Sequence, residues 1–269
     1  MNWKRIKTFL IVLFLIINIY LLSTTSGSMI FRITSVTKLD KETVSNAVDV
    51  ISANYGVKVP ESEVPLELVN LVNIDVTNFI FTDMFENPGY GFVQTDSGFE
   101  CELKTHTYSY TEQIAKNEIV SILTEIGIDE SAYKMEFKKS DHGLICIVSE
   151  YVSGYPIFDG KIYAEFTSSM IKLKGNWYFP EQTEVKKYES SERVTDITSV
   201  LIDCVSSISD KREEKYEIKD IGYGYIVGYY DDNVITKSAS AIPCYMIETD
   251  FGNKYFYDAY NGNFLKQEE

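Results

Sequence analysis

Histidine is nearly absent from these 269 residues, which hold only His106 and His142. His106 follows a strand-like run, and His142 sits in Lys139-Ser140-Asp141-His142-Gly143, a turn by composition. Neither has Cys or His at ligand spacing, which argues against zinc. The four cysteines, Cys101, Cys146, Cys204 and Cys244, are far apart and form no Cys-x-x-Cys. Each lies in an apolar run, so the expectation is four buried free thiols behaving as small hydrophobes, although an oxidising exterior would also permit disulfides. Basic residues are scarce as well: 25 Lys and Arg against 40 Asp and Glu give a net charge of −15. That balance argues against nucleic acid, whose phosphates reward Lys and Arg, and against docking flat on anionic lipid.

Acidic residues are plentiful but form no catalytic pattern. Asp159-Gly160, Asp231-Asp232-Asn233 and Asp258 fall in turn or strand-end contexts, where Asp bonds local backbone. The twelve-residue calcium-loop pattern is missing. The run Ile221-Gly222-Tyr223-Gly224-Tyr225-Ile226-Val227-Gly228 lacks the strand-to-helix context of a phosphate loop and reads as a strand with close backbone packing. The expectation is therefore a protein that is not an enzyme, with no catalytic residues, no cofactor and no metal.

What is present begins at the N-terminus. Trp3, Lys4, Arg5 and Lys7 precede an apolar run over residues 8–22. Counted from Trp3, the segment has 20 residues and is about 30 Å long as a helix, enough for a single membrane span. Lys4, Arg5 and Lys7 would snorkel to cytoplasmic headgroups, with Trp3 and Tyr20 at the two interfaces. The bulk of the chain is then extracellular, attached to the cell membrane. The other outcome is a cleaved signal ending at Ser26-Gly27-Ser28, a weak small-x-small site. Asn18, the one amide in the run, either hydrogen-bonds a neighbouring helix, worth about 1 kcal/mol, or meets water near the outer surface. With the three basic residues of this segment set aside, the exterior part carries −18.

Tyr is abundant, at 20 residues with 15 Phe. Short alternating runs of Tyr, Val and Ile read as β-structure with a few helices. The expected fold is α+β: an N-terminal transmembrane helix followed by tandem helix-plus-antiparallel-sheet units. Residues 1–31 form the cytoplasmic stub, anchor and linker, and residues 32–108, 109–185 and 186–269 three successive units. Helices are expected near residues 40–55, 111–126 and 192–208, the first two stopped by Gly56 and Gly127. At an offset of 87 residues Pro156 falls on Pro243, and Gly175-Asn176-Trp177 on Gly262-Asn263-Phe264, which suggests a duplicated unit. Tyr223, Tyr225, Tyr229 and Tyr257 are candidates for a protein-binding sheet face, since Tyr is enriched at interfaces. The bland alternative is a Tyr stripe covering a core, with hydroxyls at its edge.

Several segments carry a family resemblance. Residues 2–8 running into 14–22, the stretch 44–65 with Tyr55-Gly56-Val57-Lys58-Val59-Pro60, and Gly154-Tyr155-Pro156-Ile157-Phe158-Asp159-Gly160-Lys161-Ile162 resemble YycI proteins. Residues 243–265 resemble the terminal strands of PepSY-type modules. The YycI resemblance implies a non-enzymatic regulator in two-component signalling and cell-wall homeostasis. Its partners would be a WalK-like sensor histidine kinase and a YycH-like companion. The implied kinase contact is the segment from Trp3 to Leu22, with Asn18 foremost. The PepSY resemblance leaves a second class open, an exported chaperone or protease-inhibitory module.

Overall fold

The computed structural model describes residues 36–38, 40–60, 64, 67–69, 71, 73–86, 89–96, 98–105, 109–141, 143–181, 194–210, 215–228 and 238–268. Among the described residues, three α-helices stand where apolar stripes and caps place them. In α1 (Lys41–Tyr55), Val44, Val48 and Ile51 share one buried face, and Gly56 ends the helix at φ +67°, a left-handed conformation suited to glycine. Helix α2 (Glu112–Glu125) is capped by the Thr111 hydroxyl, which accepts from the Ile114 N–H at 3.3 Å. It buries Ala115, Ile119, Ile122 and Leu123. Helix α3 (Ile197–Ser209) begins later than the expected residue 192, where Asp196 accepts from the Thr198 N–H at 2.9 Å.

Sheet dominates the rest. The strands are β1 (Val36–Lys38), β2 (Glu67–Val69), β3 (Ile74–Asn78), β4 (Val93–Thr95), β5 (Gly98–Lys104), β6 (Tyr133–Ser140) and β7 (Gly143–Val152). They continue as β8 (Tyr155–Phe166), β9 (Met170–Asn176), β10 (Tyr178–Pro180), β11 (Ile218–Gly228), β12 (Ser238–Thr249), β13 (Lys254–Asp258) and β14 (Phe264–Glu268). Among the described residues β1 and β2 pair only with each other, and the other twelve strands form one sheet. This corrects the expected fold of tandem units behind a transmembrane helix. Strands from distant parts of the chain interleave: β5 extends the β6-β7-β8-β9 meander at β9, and β3 pairs with β12 in the β11-β12-β13-β14 meander. Among the described residues no helix is long and apolar enough to cross a membrane. The expected span, with Trp3, Lys4, Arg5, Lys7, Asn18 and Tyr20, lies outside those residues.

The offset of 87 residues does not map one meander onto the other. It lays β8 over β12, the third strand of one meander on the second of the other, and carries β9 onto residues 257–263, mostly the turn between β13 and β14. The turn between β12 and β13 would then fall inside β8. The two prolines nevertheless have related work, one on either side of β11. On β12, Pro243 marks a change of neighbours: residues Ser238 to Ala241 pair with β3, whereas Cys244 to Glu248 pair with β13. Its carbonyl accepts from the Ala259 N–H at 3.0 Å, and its missing N–H is not called on where one ladder stops and the next starts.

Each meander carries a helix-covered core. Helix α2 packs with Cys146, Val148, Ile162, Ala164 and Leu173, beside an aromatic knot in which Phe79 meets Phe85, Phe92 and Phe99 at centroid distances of 5.0–5.7 Å. Helices α1 and α3 pack together over Ile218, Tyr245, Ile247 and Tyr257. The cysteines are divided among these cores and the opposite sheet face. All four are buried free thiols. Burial, with the charge of Glu102 secondary, pushes Cys101 up to about 11; burial pushes Cys146 and Cys204 up to about 12 and raises Cys244 well above its ordinary value. Because the thiolate is the nucleophile, none of the four should react with a thiol-specific disulfide reagent on the folded chain at neutral pH. All four should react after denaturation. A stoichiometric label on the native protein would contradict this packing.

The joint between the meanders lies in β8. On one side of a break in register Ser149 opposes Lys161; on the other Tyr151 opposes Pro156. A single residue of β7, Glu150, thus faces residues 157–160 of β8. Freed from β7, this stretch turns to β11, where Ile157 and Tyr225 form a parallel bridge. The two sheets become one here.

Candidate partner-binding groove

Helix α3 does not cover the β13–β14 edge of its sheet. The uncovered strip is a groove of about 660 Å³. Its floor is Tyr255 and Tyr257, which alternate onto the helix side of β13; one wall is α3 through Asp203, Ser206 and Ser207. The far wall is Phe264, set by an irregularity in the β13–β14 register: Tyr257 opposes Phe264 but Phe256 opposes Lys266, leaving Leu265 as an extra residue. Phe264 meets Tyr257 edge-on at 5.6 Å and is 54% exposed. Burial first, and then the neighbouring Cys204, raise the Tyr257 pKa, so its hydroxyl stays protonated at any physiological pH. Among the described residues β14 pairs only with β13. Its other edge offers backbone donors and acceptors to an added strand. An aromatic floor, a polar rim and an open strand edge suit an extended protein segment.

The structure places the tyrosines singled out in the sequence as follows. Tyr223, Tyr245 and Tyr257 stand in one cross-strand row, with Tyr223 and Tyr245 rings 5.3 Å apart. Tyr225 alternates onto the same face. That face turns inward: Tyr225 and Tyr257 are buried and Tyr223 is half-buried. The row supports the groove from beneath, and only Tyr257 reaches it. Tyr229, the two histidines and Asp231-Asp232-Asn233 lie outside the described residues.

Two carboxyl groups meet at the joint: Glu150, which the sequence does not mark, and Asp159, for which it suggests only a turn or strand-end role. Glu150 is 2% exposed, and its Oε2 accepts from the Tyr178 N–H at 3.0 Å. Gly160 makes room for it, since a Cβ there would stand 2.1 Å from Oε2. Asp159 lies inside β8 rather than in a turn; its Oδ2 accepts from the Val227 N–H at 2.8 Å and its Oδ1 receives the Lys266 ammonium. Burial, reinforced by the Asp159 charge and opposed by the Tyr178 N–H, holds Glu150 well above the ordinary carboxyl range. Burial also raises Asp159, opposed mainly by Lys266. The readable signal was Asp159-Gly160 in the middle of an otherwise strand-like run.

The chain matches no family model and no curated protein. Among solved structures it is similar to an uncharacterized protein from Eubacterium rectale, at 12% identity and a TM-score of 0.48, over 85% of this chain and 99% of that one.

Proposed function

We propose that this protein is a non-enzymatic regulator, tethered to the cell membrane through residues 3–22 with its bulk outside. It would modulate a WalK-like sensor histidine kinase together with a YycH-like companion, in cell-wall homeostasis. The membrane segment with Asn18 meets the kinase, and the groove beside α3 takes an extended segment of the companion. The groove carries this reading: Phe264 stands exposed over a tyrosine floor, next to an open strand edge. The resemblance of the N-terminal segment to YycI proteins supports it. A tether alters a kinase only by binding its signalling states unequally, and a tenfold change in output needs about 1.4 kcal/mol of difference.

Two changes in the full-length chain separate the two contacts. Exchanging residues 6–22 for an unrelated span is expected to abolish control of kinase output while leaving the companion bound. Phe264→Ala with Ser207→Arg is expected to weaken co-purification of the companion at least tenfold. Control that persists after the exchange would end the tether-contact reading and move the weight to an exported PepSY-type chaperone or inhibitory module.

A further inference from the structure

The groove beside α3 carries one sign of charge. Asp203 is the single charged side chain among its described lining residues. It is exposed, and among the described residues it makes no ion pair. The lysines of β13 and β14 are engaged on the opposite sheet face. Lys254 meets Glu248 at 3.1 Å, and Lys266, which opposes Phe256, is held by Asp159 and Glu268.

Other features of the groove have the same polarity. The wall formed by Ser206 and Ser207 belongs to the end of α3, where carbonyls without intrahelical partners put the negative end of the helix dipole. The last turn of that helix holds no basic residue to offset it. Asp210, seven residues after Asp203, continues the same helical stripe. Across from the helix stand the exposed Phe264 and the half-buried Phe251, whose ring faces are also negative. A carboxylate facing aromatic rings suits a cation on an apolar stem, which lays its methylenes on a ring and carries its charge to the acid. A bare metal ion fits less well, since among the described residues no three ligating side chains come together. A second copy of the chain is disfavoured by its own charge of −15.

We propose that the groove takes a basic extended segment, with an Arg or Lys side chain laid on Phe264 and its charge at Asp203. The inference rests on the reading of this groove as a partner site and specifies the chemistry of the partner. Arg is favoured over Lys, because its planar guanidinium stacks on a ring while bonding a carboxylate through two N–H groups.

The test is fluorescence anisotropy on the full-length chain in detergent, with labelled peptides of alternating Thr and Arg, Thr and Lys, or Thr and Gln. The Arg peptide is expected to bind at least tenfold more tightly than the Gln peptide, with the Lys peptide between them. That margin should shrink as salt rises from about 0.05 M to about 0.5 M. Asp203→Lys should weaken the Arg peptide at least tenfold. Glu118→Lys, the same charge change at an exposed position of α2, should not, which separates the groove from the general acidity of the chain. The proposal is overturned if the Arg and Gln peptides bind wild-type protein alike, or if the two charge reversals weaken the Arg peptide equally. Co-purification tests the underlying reading separately. A companion lost on Phe264→Ala with Ser207→Arg but retained on Asp203→Lys keeps the groove as a partner site and rejects the basic segment. Arg-peptide binding through Asp203, with the companion retained in both variants, keeps the basic segment and rejects the companion as its source.

Discussion

Gly224→Ala is expected to destabilise the folded chain by about 3 kcal/mol, the upper end of the usual range for overpacking, because the clash is with rigid backbone. The position lies in β11 at the joint with β8. A Cβ added there would stand 2.4 Å from the Pro156 carbonyl oxygen and 2.8 Å from Pro156 Cγ. Backbone oxygen and a proline ring cannot rotate away, so β11 and β8 must separate. Separation breaks the Ile157–Tyr225 bridge and draws the Val227 N–H away from Asp159. Gly222→Ala is a fitting comparison two residues earlier. Its Cβ would meet Met246 Cε and Phe158 Cζ at 3.0 Å, the ends of mobile side chains, so the loss should be smaller. Chemical denaturation of both variants measures the difference. Equal losses would mean that the joint does not depend on the close approach at Gly224.

The second large effect reverses the usual sign for a polar substitution. Glu150→Gln is expected to stabilise the chain at neutral pH by about 1–3 kcal/mol, because a buried carboxyl that must there either hold a proton against solvent pH or carry charge out of water is replaced by a neutral isostere that still accepts from Tyr178. The pH dependence follows from the raised pKa of Glu150. The folded chain keeps a proton that the unfolded chain releases near the ordinary carboxyl pKa of about 4.3. Folding is therefore favoured by that proton at low pH, and the advantage drains away as pH rises from there toward the folded-state pKa. In the Gln variant this contribution disappears. The two stability curves should converge near pH 4 and separate on going to neutral, with the variant above. A variant less stable than wild type at pH 7 would show that the charge at 150 is compensated by groups other than Tyr178.

Local chemistry was legible in the sequence, and long-range pairing was not. Gly56, Gly127 and the apolar stripes place α1 and α2 to within a residue or two, because caps and 3.6-residue periodicity act within one element. The start of α3 was misplaced because Asp196, its cap, follows other polar residues that would serve equally well on paper. Alternation is legible in the sequence of β5 to β9, but nothing local says that β5 should choose β9 or that β3 should lie beside β12 some 160 residues later. That choice turned an expected series of units into one sheet. The short β14 is not legible as alternation, because its bulge at Leu265 breaks the two-residue period, and the far wall of the groove is hidden with it. The tyrosines illustrate the same limit. Their alternation predicts a shared face, and Tyr223, Tyr225 and Tyr257 do share one. Whether that face looks out or in depends on what packs over it from elsewhere in the chain, α3 over Tyr257 and Leu71 with Tyr178 over Tyr225.

The most direct test of the regulatory account is site-specific photocrosslinking in cells that make the kinase, the companion and this chain at full length. A photoreactive phenylalanine derivative replaces Phe264 at the groove or, as a control, Val93, which is 58% exposed on β4. The account predicts that position 264 captures the YycH-like companion while position 93 captures neither protein. Capture of the companion equally from both positions, or from neither, would contradict it.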